Sequence, residues 1–151
     1  MKIRPKQPVA VYGPIMISRE AGRARYRVEN EHGFVMEGTA APGPVGFNPA
    51  ELLCSAVGTC LAITVDQMCA RQGINAGAVK VAVSVGKAPD LPSRFGRVMV
   101  SIDMDGIDDP DLRDRLIEAA QRHCTVSNTL DKSVVFEMLE TGDGLEVGPA
   151  G

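Results

Sequence analysis

The sequence predicts an α+β fold in which antiparallel strands pack against helices on one side. Three observations predict it: segments of alternating apolar and polar residues occur in both halves of the chain, two longer segments have helical character, and turn residues separate them. The element order is β-β-β-α-β-β-α-β without an internal repeat, which is typical of this class. We expect one domain over residues 1–140 and a flexible, glycine-rich tail over 141–151.

The first forty residues predict short strands. Residues 23–28 (RARYRV) alternate strictly, which places three arginines on one face: Arg23, Arg25 and Arg27. The turn-like residues 29–33 lead to a second strand at 34–38, so we expect a hairpin. A loop rich in proline and glycine follows at 41–47.

A long buried central helix is expected from Asn48-Pro49 to about Gln72. Asparagine is favoured at the N-cap, proline at the first helical position, and Gly73 provides the stop. The helix is apolar on all sides, which predicts burial on all sides. Because one sheet cannot cover every face of such a helix, we infer that a second subunit covers the rest, in an intertwined homodimer.

The second half predicts two more strands, a helix and a last strand. Residues 79–85 and 98–102 alternate and suggest an antiparallel pair, and the last strand is expected at 133–139. The second helix is expected over 110–124, opened by Asp109-Pro110. At about 100° per residue, Cys124 lies about 20° from Ile117 around this helix and therefore faces the core.

The composition excludes several classes of protein. The 151 residues are 44% hydrophobic and 23% charged, as in folded globular domains, and the net charge of −3 disfavours nucleic acid as a partner. Glu51 and Asp66 bracket the longest apolar run, which falls short of the roughly 18 residues of a membrane span, so no membrane association is expected. The N-terminus lacks a signal-peptide pattern, so we expect a cytoplasmic location with reduced thiols.

The four cysteines, Cys54, Cys60, Cys69 and Cys124, predict neither a zinc site nor a disulfide framework, since their spacing fits neither. From the residues alone, Cys54 and Cys69 are interpreted as core filler. Gly58, close to Cys60, costs about 1 kcal/mol relative to alanine in a helix, which indicates that a crossing helix or a substrate approaches the backbone. Core filler and nucleophile both stay open for Cys60.

Three segments resemble the family of osmotically inducible protein C and the organic hydroperoxide resistance proteins (OsmC/Ohr). They are NPAELL at 48–53, GTCLA at 58–62 and HCTVSNTL at 123–130, and the likeness in element order runs from about Gly38 to Met138. The resemblance implies a two-layer dimeric fold and a thiol peroxidase without metal or organic cofactor. Cys60 would be the peroxidatic cysteine and Cys124 the resolving one, with the disulfide reduced by an external dithiol such as a lipoyl or thioredoxin-type protein.

Thiolate formation at Cys60 poses a physical problem. Cys60 lies about 18 Å from the start of its own helix, too far for the helix dipole, and apolar burial raises the pKa of a thiol. We therefore expect a nearby cation, an arginine above all. The family places a catalytic arginine in the N-terminal strand region, and we choose Arg25, the middle of the arginine face, over Arg19 or a residue of another subunit.

Glu51 has two interpretations. It is about 900° and about 13.5 Å from Cys60 along the helix, so the two cannot meet within one chain. Glu51 either caps its helix at the third position, or orients the arginine and the peroxide across a dimer interface. The organic hydroperoxide branch has its glutamate one position earlier, where this chain has Ala50, and the second motif usually reads Cys-Pro-Val where this chain has Thr125.

Two functional hypotheses follow. The first is a cytoplasmic, homodimeric peroxidase that reduces organic hydroperoxides with Cys60, Cys124, Glu51 and Arg25. The second is a dimer of the same fold that binds an apolar small molecule, with its thiols as a redox sensor or as bystanders. His123 could serve as a base for Cys124, but we favour a charge interaction with the helix C-terminus.

Overall fold

The computed structural model describes residues 9–130 and 132–140 and confirms the α+β class. The elements follow the predicted order, with one short helix in addition: β1 (Met16–Ser18), β2 (Tyr26–Glu29), β3 (Val35–Gly38), α1 (Pro49–Gln72), β4 (Val79–Lys87), β5 (Phe95–Met104), α2 (Pro110–His123), α3 (Thr125–Thr129) and β6 (Val135–Leu139). They belong to two compact units, one ending at Pro49 and one beginning at Ala50. The single domain at 1–140 stays a prediction, and the tail expected at 141–151 lies outside the described residues.

The first unit contains an antiparallel three-stranded sheet in the order β1-β2-β3. The predicted hairpin joins β2 to β3, and its turn is held by the Asn30 side chain, whose Oδ1 accepts hydrogen bonds from the N–H groups of His32 and Phe34. β2 begins at Tyr26 rather than at Arg23, because the Arg23 N–H donates to the Glu20 carbonyl in a turn at 3.1 Å.

Helix α1 begins and ends where the sequence predicts. At its C-terminus the Ile74 N–H bonds the Cys69 carbonyl at 2.9 Å and the Gly73 N–H bonds the Ala70 carbonyl at 3.3 Å. With Gly73 at φ +65°, these two bonds form a Schellman motif. The backbone conformation at Gly73 therefore explains why the helix stops there.

We expect Gly73→Ala to lower the free energy of unfolding by about 1 kcal/mol, because an L side chain is strained in the left-handed region. A Cβ at this position would meet no atom within 4 Å, so backbone strain is the whole effect. Urea unfolding measures it, with Gln72→Ala as the matched control, for which a change within about 0.5 kcal/mol is expected. Equal stabilities of the two variants would contradict the assigned conformation of Gly73.

The single chain covers only part of α1, as expected for a helix that one sheet cannot enclose, and burial of the rest by a second subunit stays a prediction. One stripe, spaced by four residues, lies in the core: Val57, Leu61, Val65 and Cys69. Other apolar positions are uncovered, and Ile63 is 51% exposed. By length and composition alone α1 could cross a membrane, a criterion that the core helix of a soluble protein also meets.

The second unit contains a three-stranded sheet in the order β4-β5-β6. β4 and β5 are antiparallel as predicted, but both are longer, and β6 pairs parallel with β5, which the sequence did not indicate. The central strand β5 directs alternate residues into the core: Val98, Val100, Ile102 and Met104. The α1 stripe and residues of α2, among them Leu116 and Ala120, belong to the same core.

Helix α2 begins at Pro110 with Asp109 as its N-cap, whose Oδ1 accepts the Asp111 N–H at 3.0 Å. It ends at His123, one residue earlier than predicted, and Cys124 is its C-cap in an extended conformation. The chain then re-enters a helix at once, because Cys124 also caps α3. The predicted core-facing position of Cys124 is confirmed, since its side chain is fully buried.

Candidate functional site

Two of the four cysteines meet in the second unit. Cys60, on α1, is partly exposed, and Cys124, at the junction of α2 and α3, is completely buried. Both are free thiols, and each lies close enough to the other to shift its pKa. The stripe of α1 and the apolar face of α2 share one core, and this packing brings together two residues that are far apart in sequence.

Cys124 is held by the first turn of α3. Its Sγ accepts the Ser127 N–H at 3.5 Å, as an N-cap side chain does, and its carbonyl accepts the Asn128 N–H at 3.0 Å. The Ser127 side chain, 8% exposed, also approaches the Cys124 sulfur, although its hydroxyl makes no well-formed hydrogen bond. A cysteine thus does here what serine, threonine or aspartate does at most helix N-termini.

The surroundings of Cys60 favour its thiolate. Burial is the largest influence on the pKa of Cys60 and acts to raise it, but hydrogen bonds from four groups together outweigh burial: the Val126 N–H, the Cys124 thiol, the Thr125 N–H and the Thr64 side chain. The pKa of Cys60 therefore lies below its ordinary value. Donors that face a sulfur stabilise its charged form, which is the physical cause of the shift.

Thr64 contributes least to this set. Its hydroxyl donates to the Cys60 backbone carbonyl at 2.7 Å. A hydroxyl has one proton, so it cannot donate to that carbonyl and to the Cys60 sulfur at the same time. Because the bond to the carbonyl is short, the Thr64 proton is engaged there and not at the Cys60 sulfur. We therefore ascribe the lowered pKa of Cys60 to the backbone N–H groups and to Cys124.

Cys124 is shifted in the opposite direction. Burial, the largest cause, raises the pKa of Cys124, and the nearby Cys60 raises it further, while Ser127 opposes both. Of the two thiols in contact, the exposed one is therefore favoured as the anion and the buried one as the neutral donor. Environments that push the pKa values of neighbouring groups apart assign them different chemical roles.

The other two cysteines lack such an environment. Burial is the largest influence on Cys54 and raises its pKa, to which the negative charge of Glu51 adds. Burial likewise raises the pKa of Cys69, with Asp66 acting in the same direction. Both thiols are thus held in the neutral form, which is how inert structural cysteines behave.

The structure shows a source of thiolate stabilisation that the sequence did not indicate. We expected an arginine, whereas the donors found around Cys60 are backbone N–H groups of α3, a helix too short for its pattern to be recognised. Arg25 lies in the first unit, where it is 3.7 Å from Glu37 and borders a cavity of about 270 Å³ together with Arg23 and Arg27. The catalytic roles of Arg25 and Glu51 stay predictions.

Gly58 is explained by close packing within the chain. A Cβ at Gly58 would lie 3.2 Å from Val83 and 3.7 Å from Val81, so a strand, β4, is what approaches the helix backbone. The same face opens into a cavity of about 400 Å³, lined by Cys54, Ser55, Gly58, Thr59, Ala62, Val81 and Val83. Its lining is made of small and apolar side chains.

His123 is the last residue of α2, directly before Cys124. His123 is exposed at the last residue of α2, and it borders a cavity of about 460 Å³ together with Thr64 and Arg71. It is not among the groups that shift the pKa of Cys124. Within residues 9–130 and 132–140, no cluster of three or more His, Cys, Asp or Glu side chains could hold a metal ion.

Solved structures with the same fold carry related names. An OsmC-like protein from Mycoplasma pneumoniae has a TM-score of 0.78 at 15% identity, covering 88% of this chain and 98% of that one. The organic hydroperoxide resistance protein OhrB of Bacillus subtilis has a TM-score of 0.65 at 18% identity, covering 84% and 97%. An organic hydroperoxide resistance protein from Legionella pneumophila has a TM-score of 0.65 at 18% identity, covering 87% and 98%.

Comparison of the sequence with known proteins identifies a family but no individual relative, since no curated protein matches the chain. The family model of OsmC-like proteins matches residues 40–138, nearly the range over which the sequence motifs showed their resemblance. This range includes Cys60, Cys124 and every element from α1 to most of β6. The chain therefore belongs to the OsmC-like protein family.

Proposed function

We propose that this protein is a thiol-dependent peroxidase that reduces organic hydroperoxides through Cys60 and Cys124. The observation that carries the proposal is the contact between these two thiols, whose pKa values are shifted in opposite directions. A peroxidase of this type needs one ionised thiol that a peroxide can reach and a second thiol that can reach the first. The names of similar structures, two of them organic hydroperoxide resistance proteins, agree with this activity.

In the first step the Cys60 thiolate attacks the terminal oxygen of the hydroperoxide. The S–O bond forms as the O–O bond breaks, the alkoxide leaves and takes a proton from solvent to become the alcohol, and Cys60 becomes a sulfenic acid. Sulfur is oxidised by two electrons and the peroxide is reduced by two. The partial exposure of Cys60 provides access for this attack, whereas Cys124 is completely buried.

In the second step the Cys124 sulfur attacks the Cys60 sulfenic acid. The S–S bond forms, the S–O bond breaks, and water leaves with the proton of the Cys124 thiol. Cys124 starts close enough to Cys60 for the two thiols to shift each other's pKa, so little movement is needed. The raised pKa of Cys124 keeps this thiol neutral, and hence unreactive toward peroxide, until a sulfenic acid is present next to it.

In the third step an external dithiol reduces the disulfide by exchange, and its own two thiols become a disulfide. Attack at Cys124 would release the better leaving group, because the pKa of Cys60 is the lower of the two. Cys124 has no exposed surface, however, so access favours attack at Cys60. A lipoyl or thioredoxin-type protein has the required chemistry, and no metal or organic cofactor takes part.

We also propose a homodimer located in the cytoplasm. In one chain the face of α1 opposite its core stripe is uncovered, with Ile63 at 51% exposure, and a second subunit would bury this face. Cys60 as an active thiol fits a reducing compartment, where an external dithiol can regenerate it. In this dimer Arg25 and Glu51 would bind the hydroperoxide and orient it toward Cys60.

The test is the stoichiometry of one turnover. One equivalent of tert-butyl hydroperoxide, added to the reduced protein, should yield about one equivalent of tert-butanol and one Cys60–Cys124 disulfide, because each turnover transfers two electrons. Gas chromatography measures the alcohol and non-reducing peptide mapping locates the disulfide. Cys54 and Cys69 should stay available to alkylation after denaturation. A protein that stays fully reduced, or that forms its disulfide through Cys54, would contradict the proposal.

A second candidate function is the binding of an apolar small molecule without turnover. The cavity of about 400 Å³ between α1 and β4, with its small and apolar lining, favours it. Saturable binding of cumyl alcohol in ligand-observed NMR, together with cumene hydroperoxide that is left intact, would support this candidate over the peroxidase.

A further inference from the structure

Two neighbouring cavities form a groove between α1 and α2 in the second unit. The first has a volume of about 460 Å³ and the second of about 420 Å³, and Met68 and Gln72 of α1 border both. The first cavity reaches Thr64 and His123, and the second reaches Leu112 of α2. Gln72 follows Thr64 by eight residues, so the groove extends about 12 Å along α1, comparable with an extended chain of about eight to ten carbons.

The groove begins beside the two thiols and is separate from the other cavity of α1. The Thr64 hydroxyl bonds the Cys60 carbonyl at 2.7 Å, and His123 directly precedes Cys124. Among the described residues, the groove and the cavity of about 400 Å³ between α1 and β4 have no lining residue in common. A ligand of the groove would therefore occupy a different site from an apolar molecule at β4.

The first cavity is polar and holds hydrogen-bond donors that the chain itself does not use. Arg71 supplies a guanidinium, Gln67 and Gln72 supply amides, and His123 supplies an imidazole. Within the part of the chain that the structure describes, none of these four side chains forms a hydrogen bond or an ion pair. A guanidinium is a planar, permanently charged donor that matches a carboxylate in two parallel hydrogen bonds. This cavity is therefore suited to a carboxylate.

The second cavity has an apolar floor. Met68 and Leu112 are partly buried and pack against the core, and Leu116 beneath them is 2% exposed. Ala119, also on α2, adds a small side chain that leaves room above it. Apolar surface that a ligand removes from water contributes to affinity in proportion to its area. This half of the groove is therefore suited to a hydrocarbon chain.

The groove is cationic, although the whole chain has a net charge of −3. Three arginines line it against one carboxylate, Glu118, which lies 4.0 Å from Arg122. The helix dipole explains cations in the last turns of α1 and α2, which are Arg71 and Arg122, but not Arg115 in the first half of α2. Arg115 forms no ion pair with the described residues. The field of the groove favours a negatively charged ligand.

We propose that this groove binds a monocarboxylate with an apolar chain of about eight to ten carbons, a length set by the helix rise along α1. Its carboxylate binds Arg71 in the first cavity, and its chain lies on Met68 and Leu112 in the second. The polar and the apolar half together select this class, because a neutral chain leaves the donors unused and a short anion leaves the floor in water. The site goes beyond the proposed peroxidase and requires no turnover.

The test titrates the protein with octanoate, using NMR of backbone amides to locate binding and calorimetry to measure Kd. We expect saturable binding with the largest shifts at residues 67–72 and 112–123. Octan-1-ol should bind about tenfold more weakly, because it keeps the chain but loses the charge-assisted hydrogen bonds. Butyrate, with four methylene groups fewer, should bind at least about tenfold more weakly, and octylammonium should not saturate.

Three variants at exposed positions complete the test. Arg71→Gln should weaken octanoate about tenfold and leave octan-1-ol unchanged, since only the anion uses the guanidinium. Gln72→Glu, which places a carboxylate in the groove at nearly constant shape, should weaken octanoate by a similar factor. The matched control is Arg94→Gln, because Arg94 lies outside the groove and pairs with Asp90 at 2.8 Å. It should bind octanoate like the wild type.

Three results would overturn the inference: equal affinity for octanoate and octan-1-ol, an unchanged Kd in both Arg71→Gln and Gln72→Glu, or shifts centred on β4 instead of the groove. Circular dichroism verifies that each variant is folded. Octanoate contains no peroxide, so failure of the proposed function, an intact hydroperoxide with the wild type, is a separate result.

Discussion

Replacing Cys60 by serine should reduce the consumption of tert-butyl hydroperoxide to the rate of the protein-free solution. A serine hydroxyl is not ionised near neutral pH and is a weak nucleophile without an adjacent base. The three other cysteines cannot take over, because their pKa values are raised. Stopped-flow measurement with a peroxide-sensitive dye follows the first turnover.

The matched control is Cys124→Ser, which keeps a hydroxyl donor close to Cys60. We expect the first turnover to proceed at nearly the wild-type rate and then to stop, because no resolving thiol is present. Dimedone should label Cys60 as the sulfenic acid in this variant and should label little of the wild type. Equal rates for the wild type and both variants would show that peroxide reduction does not depend on these cysteines.

The fold was predictable where local chemistry and periodicity agree. Pro49 and Gly73 set the ends of α1, and the alternation in β4 and β5 set their faces. The direction of β6 was not predictable, because residue alternation is the same in parallel and antiparallel strands. The stripe of α1 that its own chain covers was not predictable, since composition reveals that a helix is apolar but not which of its faces packs in the core of one chain.

The site was predictable in its residue types and not in its electrostatics. Family motifs singled out Cys60 and Cys124, and the helical position of Cys124 indicated that it faces the core. The groups that lower the pKa of Cys60 include backbone N–H groups of a five-residue helix, α3, which no side chain of these residues announces. The one signal was the pair Ser127-Asn128 after Cys124, turn-formers that also suit a short capped helix. Reasoning from side chains pointed to an arginine, and the role of Arg25 stays a prediction.

Leu61→Ala should lower the free energy of unfolding by about 3 kcal/mol, within the range of roughly 2–5 kcal/mol for buried leucines. Leu61 is completely buried and belongs to the stripe of α1 that packs in the core; it directly follows Cys60 in the sequence. The cost arises within one chain, so it should not change with protein concentration. Chemical unfolding followed by circular dichroism measures it, and a loss below about 1 kcal/mol would contradict the core position of Leu61.

Ile63→Ala on the same helix separates the fold of one chain from the proposed homodimer. Ile63 is 51% exposed in the single chain, so a monomer should lose about 1 kcal/mol or less. If a second subunit covers this face, the loss should approach that of Leu61→Ala, and the unfolding midpoint should rise with protein concentration. We expect the dimer result, because Ile63, a large apolar side chain in the middle of α1, is 51% exposed in the single chain. A small loss at every concentration would instead assign this surface of α1 to the solvent and contradict the homodimer.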